Sequence, residues 1–145
     1  MKHFLVGTFM LVALGVAYSQ PEVQQSHIMA NVPEGGAFEK VLERDLLDFM
    51  KAQGIREATR VQFNLLREAP TQSGTAYPKF YAWARVYAAG AIVAQGAVRV
   101  AAVQKSRFDV THFHDVAAIR SNPDGLKAIF PAALVPAIIQ QAKAL

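Results

Sequence analysis

Between Ala37 and Gln53 the apolar residues Phe38, Val41, Leu42, Leu46, Phe49 and Met50 recur at three- and four-residue steps. That spacing lays them along one stripe of a helix. Glu39, Lys40, Glu43, Arg44, Asp45, Asp48 and Lys51 fill the other side, and Gly54 stands where a C-terminal cap belongs. From Thr59 the period drops to two: Val61, Phe63 and Leu65 alternate with Arg60, Gln62 and Asn64, as in a strand buried on one face. The turn-rich Pro70-Thr71-Gln72-Ser73-Gly74 interrupts the pattern. Lys79 to Tyr87 then reads as a second strand, Ala91 to Val103 as a third after the Ala89-Gly90 turn, and Arg107 to His114 as a fourth. Connections this short make the strands antiparallel neighbours. Gly96, inside the third strand, is expected to mark a bend or bulge.

After Asp115 the pattern turns helical again. Ser121-Asn122-Pro123-Asp124 combines cap residues, a proline for the first turn and an acid near the positive helix end. Leu126 to Phe130 is expected as a short helix that Pro131 ends, and Pro131 to Leu145 is apolar on most sides, so it must bury itself. Core packing or a homodimer contact is its expected role; its polar side lacks the basic residues of a membrane-surface helix.

The order predicts an α+β fold: an N-terminal helix packed on a curved four-stranded antiparallel sheet, followed by C-terminal helices. It is similar to the order in the cystatin-like and NTF2-like sheets that wrap a helix, a likeness of fold that implies little about function. A cystatin protease-binding loop would need a Gln-Val-Val-Ala-Gly type segment. This chain has Ile92-Val93-Ala94-Gln95-Gly96, in a different order and inside a strand, so cysteine-protease inhibition is not expected.

The first residues change the picture of where this domain works. Lys2 and His3 precede an apolar run from Phe4 to Ala17, and Tyr18-Ser19-Gln20-Pro21 follows, which is the pattern of a secretory signal peptide cleaved after Ser19. The run is shorter than the roughly 20 residues a membrane span requires. Residues 1–19 are therefore expected as a leader, 20–36 as an extended arm and 37–145 as one domain, released without a stable membrane anchor. With no cysteine in the chain, a bacterial periplasmic or secreted setting is expected, since small exported eukaryotic domains are usually disulfide-stapled.

Of the 15 Lys and Arg against 11 Asp and Glu, Lys2 leaves with the leader, and a net charge of about +3 remains. This small excess, with no basic run or recognition motif, gives no reason to expect nucleic-acid binding. The charge is unevenly placed: residues 34–53 hold five acids against three bases, and residues 58–115 seven bases against three acids. The sheet is thus the basic side.

Two constellations carry candidate chemistry. In the second strand Tyr81, Trp83, Arg85 and Tyr87 alternate with Phe80, Ala82, Ala84 and Val86. The small face suits a packed helix; the other offers flat rings and a cation, as recognition surfaces do. Gln95 and Arg99 extend it from the third strand, with Gln62 and Asn64 from the first. The competing expectation is that these rings pack beneath the C-terminal helices. In His112-Phe113-His114-Asp115 the two imidazoles share a strand face, but two ligands do not complete a metal site. The only other histidine after the leader is His27, on the arm.

Cysteine nucleophile, Gly-x-Ser-x-Gly elbow, phosphate-binding glycine loop and His-Glu-x-x-His pair are all lacking. The expectation is an exported, non-enzymatic binding module without a cofactor, of inhibitor, immunity or envelope-ligand type. Its basic aromatic face would hold a protein partner or an anionic envelope ligand. The alternative is an NTF2-like pocket enzyme or small-molecule carrier using His112 or His114.

Overall fold

The helical stripe folds as α1, Gly36–Ala52. The computed structural model describes residues 29–145, so the expected leader, and the arm up to residue 28, lie outside the described residues. Gly54 closes α1 with φ +108°, and Ile55 N donates to Met50 O at 3.1 Å. Glycine adopts this left-handed geometry without the Cβ penalty.

Four antiparallel strands follow and pair in chain order as one open sheet: β1 (Arg60–Leu65), β2 (Lys79–Ala88), β3 (Ala91–Gln104) and β4 (Arg107–Asp115). Ala89 and Gly90 both take positive φ, +50° and +78°, the requirement for a two-residue turn whose twist matches that of the strands it joins. The register points Phe80, Ala82, Ala84 and Val86 to the same side as Val98, Val100 and Ala102. That side is covered by Leu42, Leu46 and Met50 of α1, all fully buried. Phe38 closes one end edge-on to Phe80 and Phe108, with ring centroids 5.0 and 5.1 Å away. Asp45 of α1 accepts from Phe108 N at 2.7 Å, and Arg44 donates to Ser106 O at 2.7 Å. These bonds fasten the β3–β4 hairpin to the helix.

The opposite side of the sheet, here the far face, is covered too. Asp115 caps α2 (Val116–Ser121) by accepting from Ala118 N at 2.7 Å. Asn122 caps a 3₁₀ turn at Pro123–Ala128 in the same way, through Gly125 N. The chain then returns as α3 (Val135–Lys143). The short helix expected at Leu126–Phe130 thus begins earlier and winds tighter, because Asn122 and Pro123 act directly as cap and first residue. Ile119, Leu126, Phe130, Val135, Ile138 and Ala142 pack together against the sheet. Pro136, Ala137, Gln140 and Lys143 face outward from α3. Among the described residues no helix is long and apolar enough to cross a membrane.

Gly96 is not a bulge. It pairs regularly with Ala84 and Asp115, and the irregularities fall at Val86/Tyr87, Arg99/Val100 and Ala102/Gln104. Its reason is close approach: a Cβ there would overlap the backbone oxygen of His114 and lie 2.7 Å from Asp115 Cα, where β4 turns into α2. Gly96→Ala is therefore expected to destabilise the protein by about 2–4 kcal/mol, since rigid backbone must move. Urea denaturation of the variant checks this; a loss within about 0.5 kcal/mol would mean that β4 does not approach so closely.

Candidate functional site

Alternation along β2 sends Tyr81, Trp83, Arg85 and Tyr87 to the far face, and the C-terminal helices divide that row in two. Trp83 is 1% and Tyr81 5% exposed. Both belong to the second core with Ala97, Ile119 and Ile138. The tyrosine ring lies 6.0 Å from Phe130, and its hydroxyl bonds to Thr71 of the β1–β2 connection. Trp83 Nε1 reaches Gln95 Oε1 at 3.4 Å. These two rings anchor the helices and present no surface to a partner.

Arg85 and Tyr87 lie beyond the cover, half-buried, beside the edge strand β1. Arg85 Nη1 donates to Asn64 Oδ1 at 2.9 Å, and Tyr87 OH to Gln62 Oε1 at 3.0 Å. The Arg60 guanidinium sits 4.4 Å from the centroid of the Tyr87 ring, a cation–π contact. Arg60 was legible as a participant, because it shares strand parity with Gln62 and Asn64. Around the β1 edge, Glu39 and Glu43 of α1 share a recess of about 340 Å³ with Gln62, Asn64 and Arg85. This open end offers donors, acceptors, a ring and charges of both signs, held in place by cross-strand bonds.

Arg99, His112 and His114 also point to the far face, toward the covered end. Arg99 pairs with His112 and Ala97 with His114. Arg99 Nε donates to Thr111 Oγ1 at 2.9 Å and Nη1 to Ile129 O at 3.4 Å, bracing the segment that leads to α3. The His114 ring stands 6.0 Å from Phe130. Among the described residues no group of three His, Cys, Asp or Glu side chains is placed to hold a metal ion, and the cation facing His112 opposes one there. Nδ1 of His112 is buried without a partner.

A further concavity of about 610 Å³ lies between α2, the 3₁₀ turn and α3, with Ile119, Val135 and Ile139 on its walls. Arg120, Lys127 and Lys143 also line it, but Arg120 is bonded to Ala142 O at 2.9 Å and Lys127 to Asp124 at 3.1 Å. No protein family, curated protein or solved structure matches the chain.

Burial, then the charge of Arg99, then His114, holds the pKa of His112 below its ordinary 6.5. Protonation therefore favours the unfolded chain. As pH falls through 6.5 the unfolded state takes up the proton first, and stability drops until the lower folded pKa is reached. Arg99 on the adjacent strand and His114 on its own are the charged or titratable groups that act on it; Lys127 and Asp124 of the 3₁₀ turn are paired with each other. His112→Gln is expected to flatten the fall in stability between pH 7.5 and 5 seen by thermal denaturation (the window set by the unfolded histidine pKa, about 6.5). An unaltered slope would contradict it.

Proposed function

We propose that the chain is an exported, non-enzymatic binding module that holds a protein partner on the open end of the far face. The observation that carries this reading is the solvent-facing cluster of Arg60, Arg85 and Tyr87, fixed by Gln62 and Asn64 just beyond the helix cover. Tyr and Arg are the residue types that dominate protein interfaces, and their rotamers here are already restrained, which lowers the entropy lost on binding. Arg60 and Arg85 are in no ion pair among the described residues. Mixed charges around the β1 edge favour a protein surface over an anionic envelope polymer, which remains the other ligand class this basic sheet suits.

Export to the periplasm or medium is part of the proposal and rests on the leader-like sequence at residues 1–19. The helix followed by a four-stranded antiparallel sheet supports a cystatin-like or NTF2-like arrangement, and an inhibitor or immunity-type role is the concrete form we favour.

Trp83 cannot serve as the diagnostic variant. Trp83→Ala would hollow the second core at about 3–5 kcal/mol and confound binding with unfolding. Arg85→Ala and Tyr87→Ala remove side chains outside that core, so both variants are expected to stay folded. Each should reduce partner capture from an envelope fraction about tenfold or more relative to the parent, while Lys51→Ala on the outer end of α1 leaves capture intact. Folded Arg85→Ala and Tyr87→Ala proteins that retain every captured partner would remove the site.

A further inference from the structure

The other end of the far face carries a second basic cluster, between the β1–β2 connection and the segment after the 3₁₀ turn. Lys79, Arg99 and His112 stand on three adjacent strands. Arg99 pairs with both Tyr81 and His112, and Lys79 lies two residues from Tyr81 on the same side. All three are half-buried. Burial first, and then the Arg99 charge, lowers the pKa of Lys79 as it does that of His112, so Arg99 is the charge that both feel.

None of them is in an ion pair among the described residues, and the acid at this end, Asp109, is held by Arg107 at 3.2 Å. Their protein partners are neutral: Lys79 Nζ donates to Tyr77 O at 2.8 Å, and Arg99 to Thr111 and Ile129. Two buried nitrogens, His112 Nδ1 and Gln72 Nε2, have no partner at all. Gln72 and Lys79 line one recess of about 240 Å³. Lys79 and Arg99 are diagonal neighbours across β2 and β3, and like charges so placed oppose folding unless a counter-charge joins them. Two half-buried cations with neighbouring N–H donors, and no carboxylate paired to them among the described residues, are complementary to an oxyanion.

We propose that Lys79, Arg99 and His112 form a binding site for a phosphate-bearing ligand. A tetrahedral, multiply charged phosphate can take donors from several sides, which suits residues spread over three adjacent strands better than a planar monoanionic carboxylate would. The amide of Gln72 supplies a further donor beside Lys79. The site uses neither Arg85 nor Tyr87, so it stands or falls independently of the partner surface.

The test is a ¹H–¹⁵N chemical-shift titration of the full chain with inorganic phosphate, with acetate, and with phosphatidylglycerol vesicles read by sedimentation. Phosphate is expected to shift residues around 79, 99 and 112 saturably, and acetate to bind more weakly. Lys79→Gln should weaken phosphate about tenfold or more, the worth of one charge-assisted hydrogen bond. Because Arg99 also braces Ile129, Arg99→Lys accompanies it as a variant that keeps the charge but loses the fork; it should weaken phosphate less than Lys79→Gln. Lys51→Gln controls for loss of one surface charge. Phosphate binding without vesicle binding assigns a soluble phosphorylated ligand. Binding of both, each weakened by Lys79→Gln, assigns a phospholipid headgroup. No saturable phosphate binding, shifts scattered over other basic residues, or affinity unchanged in Lys79→Gln overturns the site, whatever the vesicles do.

Discussion

The middle of the central strand β2 is apolar on both faces, and the rest of the molecule follows from covering it. Along β2, Phe80, Ala82, Ala84 and Val86 face one side and Tyr81 and Trp83 the other, and all six are buried. A sheet in this position needs a layer on each side. The amphipathic α1 supplies one, but it has a single apolar stripe and cannot supply the other. The C-terminal segment is therefore structural: Val135, Ile138 and Ala142 close over Trp83, and the apolar surface that might have suggested membrane or dimer contact is largely spent inside the chain.

The second layer also decides which parts of the far face stay open. It covers the far face over Tyr81, Trp83 and Ala97 and stops short of Arg85 and Tyr87. What stays open is polar and bonded across strands at one end, and cationic around Lys79 and Arg99 at the other. Both ends are built on strands rather than loops, so their side chains are positioned before any ligand arrives. The covered middle separates them.

Much of this was legible in the sequence. The 3.6-residue stripe of α1 and the alternation in β1 and β2 fix element type, and the boundaries of α1 and the four strands fall within one residue of those expected. Helix layering was not legible. Trp83 and Tyr81 are amphipathic, so their alternation fits an exposed recognition face and a buried platform equally well, and the apolar 131–145 segment states that it must be buried without stating where. The pairing of Arg99 with His112 depends on the shift at Arg99/Val100, which leaves Thr111 unpaired; no residue type in β4 announces it. Gly96 was recognised as special for the wrong reason, because close approach of β4 is a tertiary event that strand periodicity does not encode. Lys79 shares its parity with Tyr81 and was readable, yet a lysine at a strand start looks like ordinary edge protection.

Everything said of the available surface depends on the helices lying over the single tryptophan of the chain. Tryptophan fluorescence of the intact protein with acrylamide as quencher reports this directly. With Trp83 sealed beneath Ile119, Leu126 and Ile138, emission should be shifted to the blue of free tryptophan and acrylamide should quench it only weakly. Emission and quenching like those of free tryptophan would show that the far face is open at its centre, and would contradict both the second core and the division of the face into two separate ends.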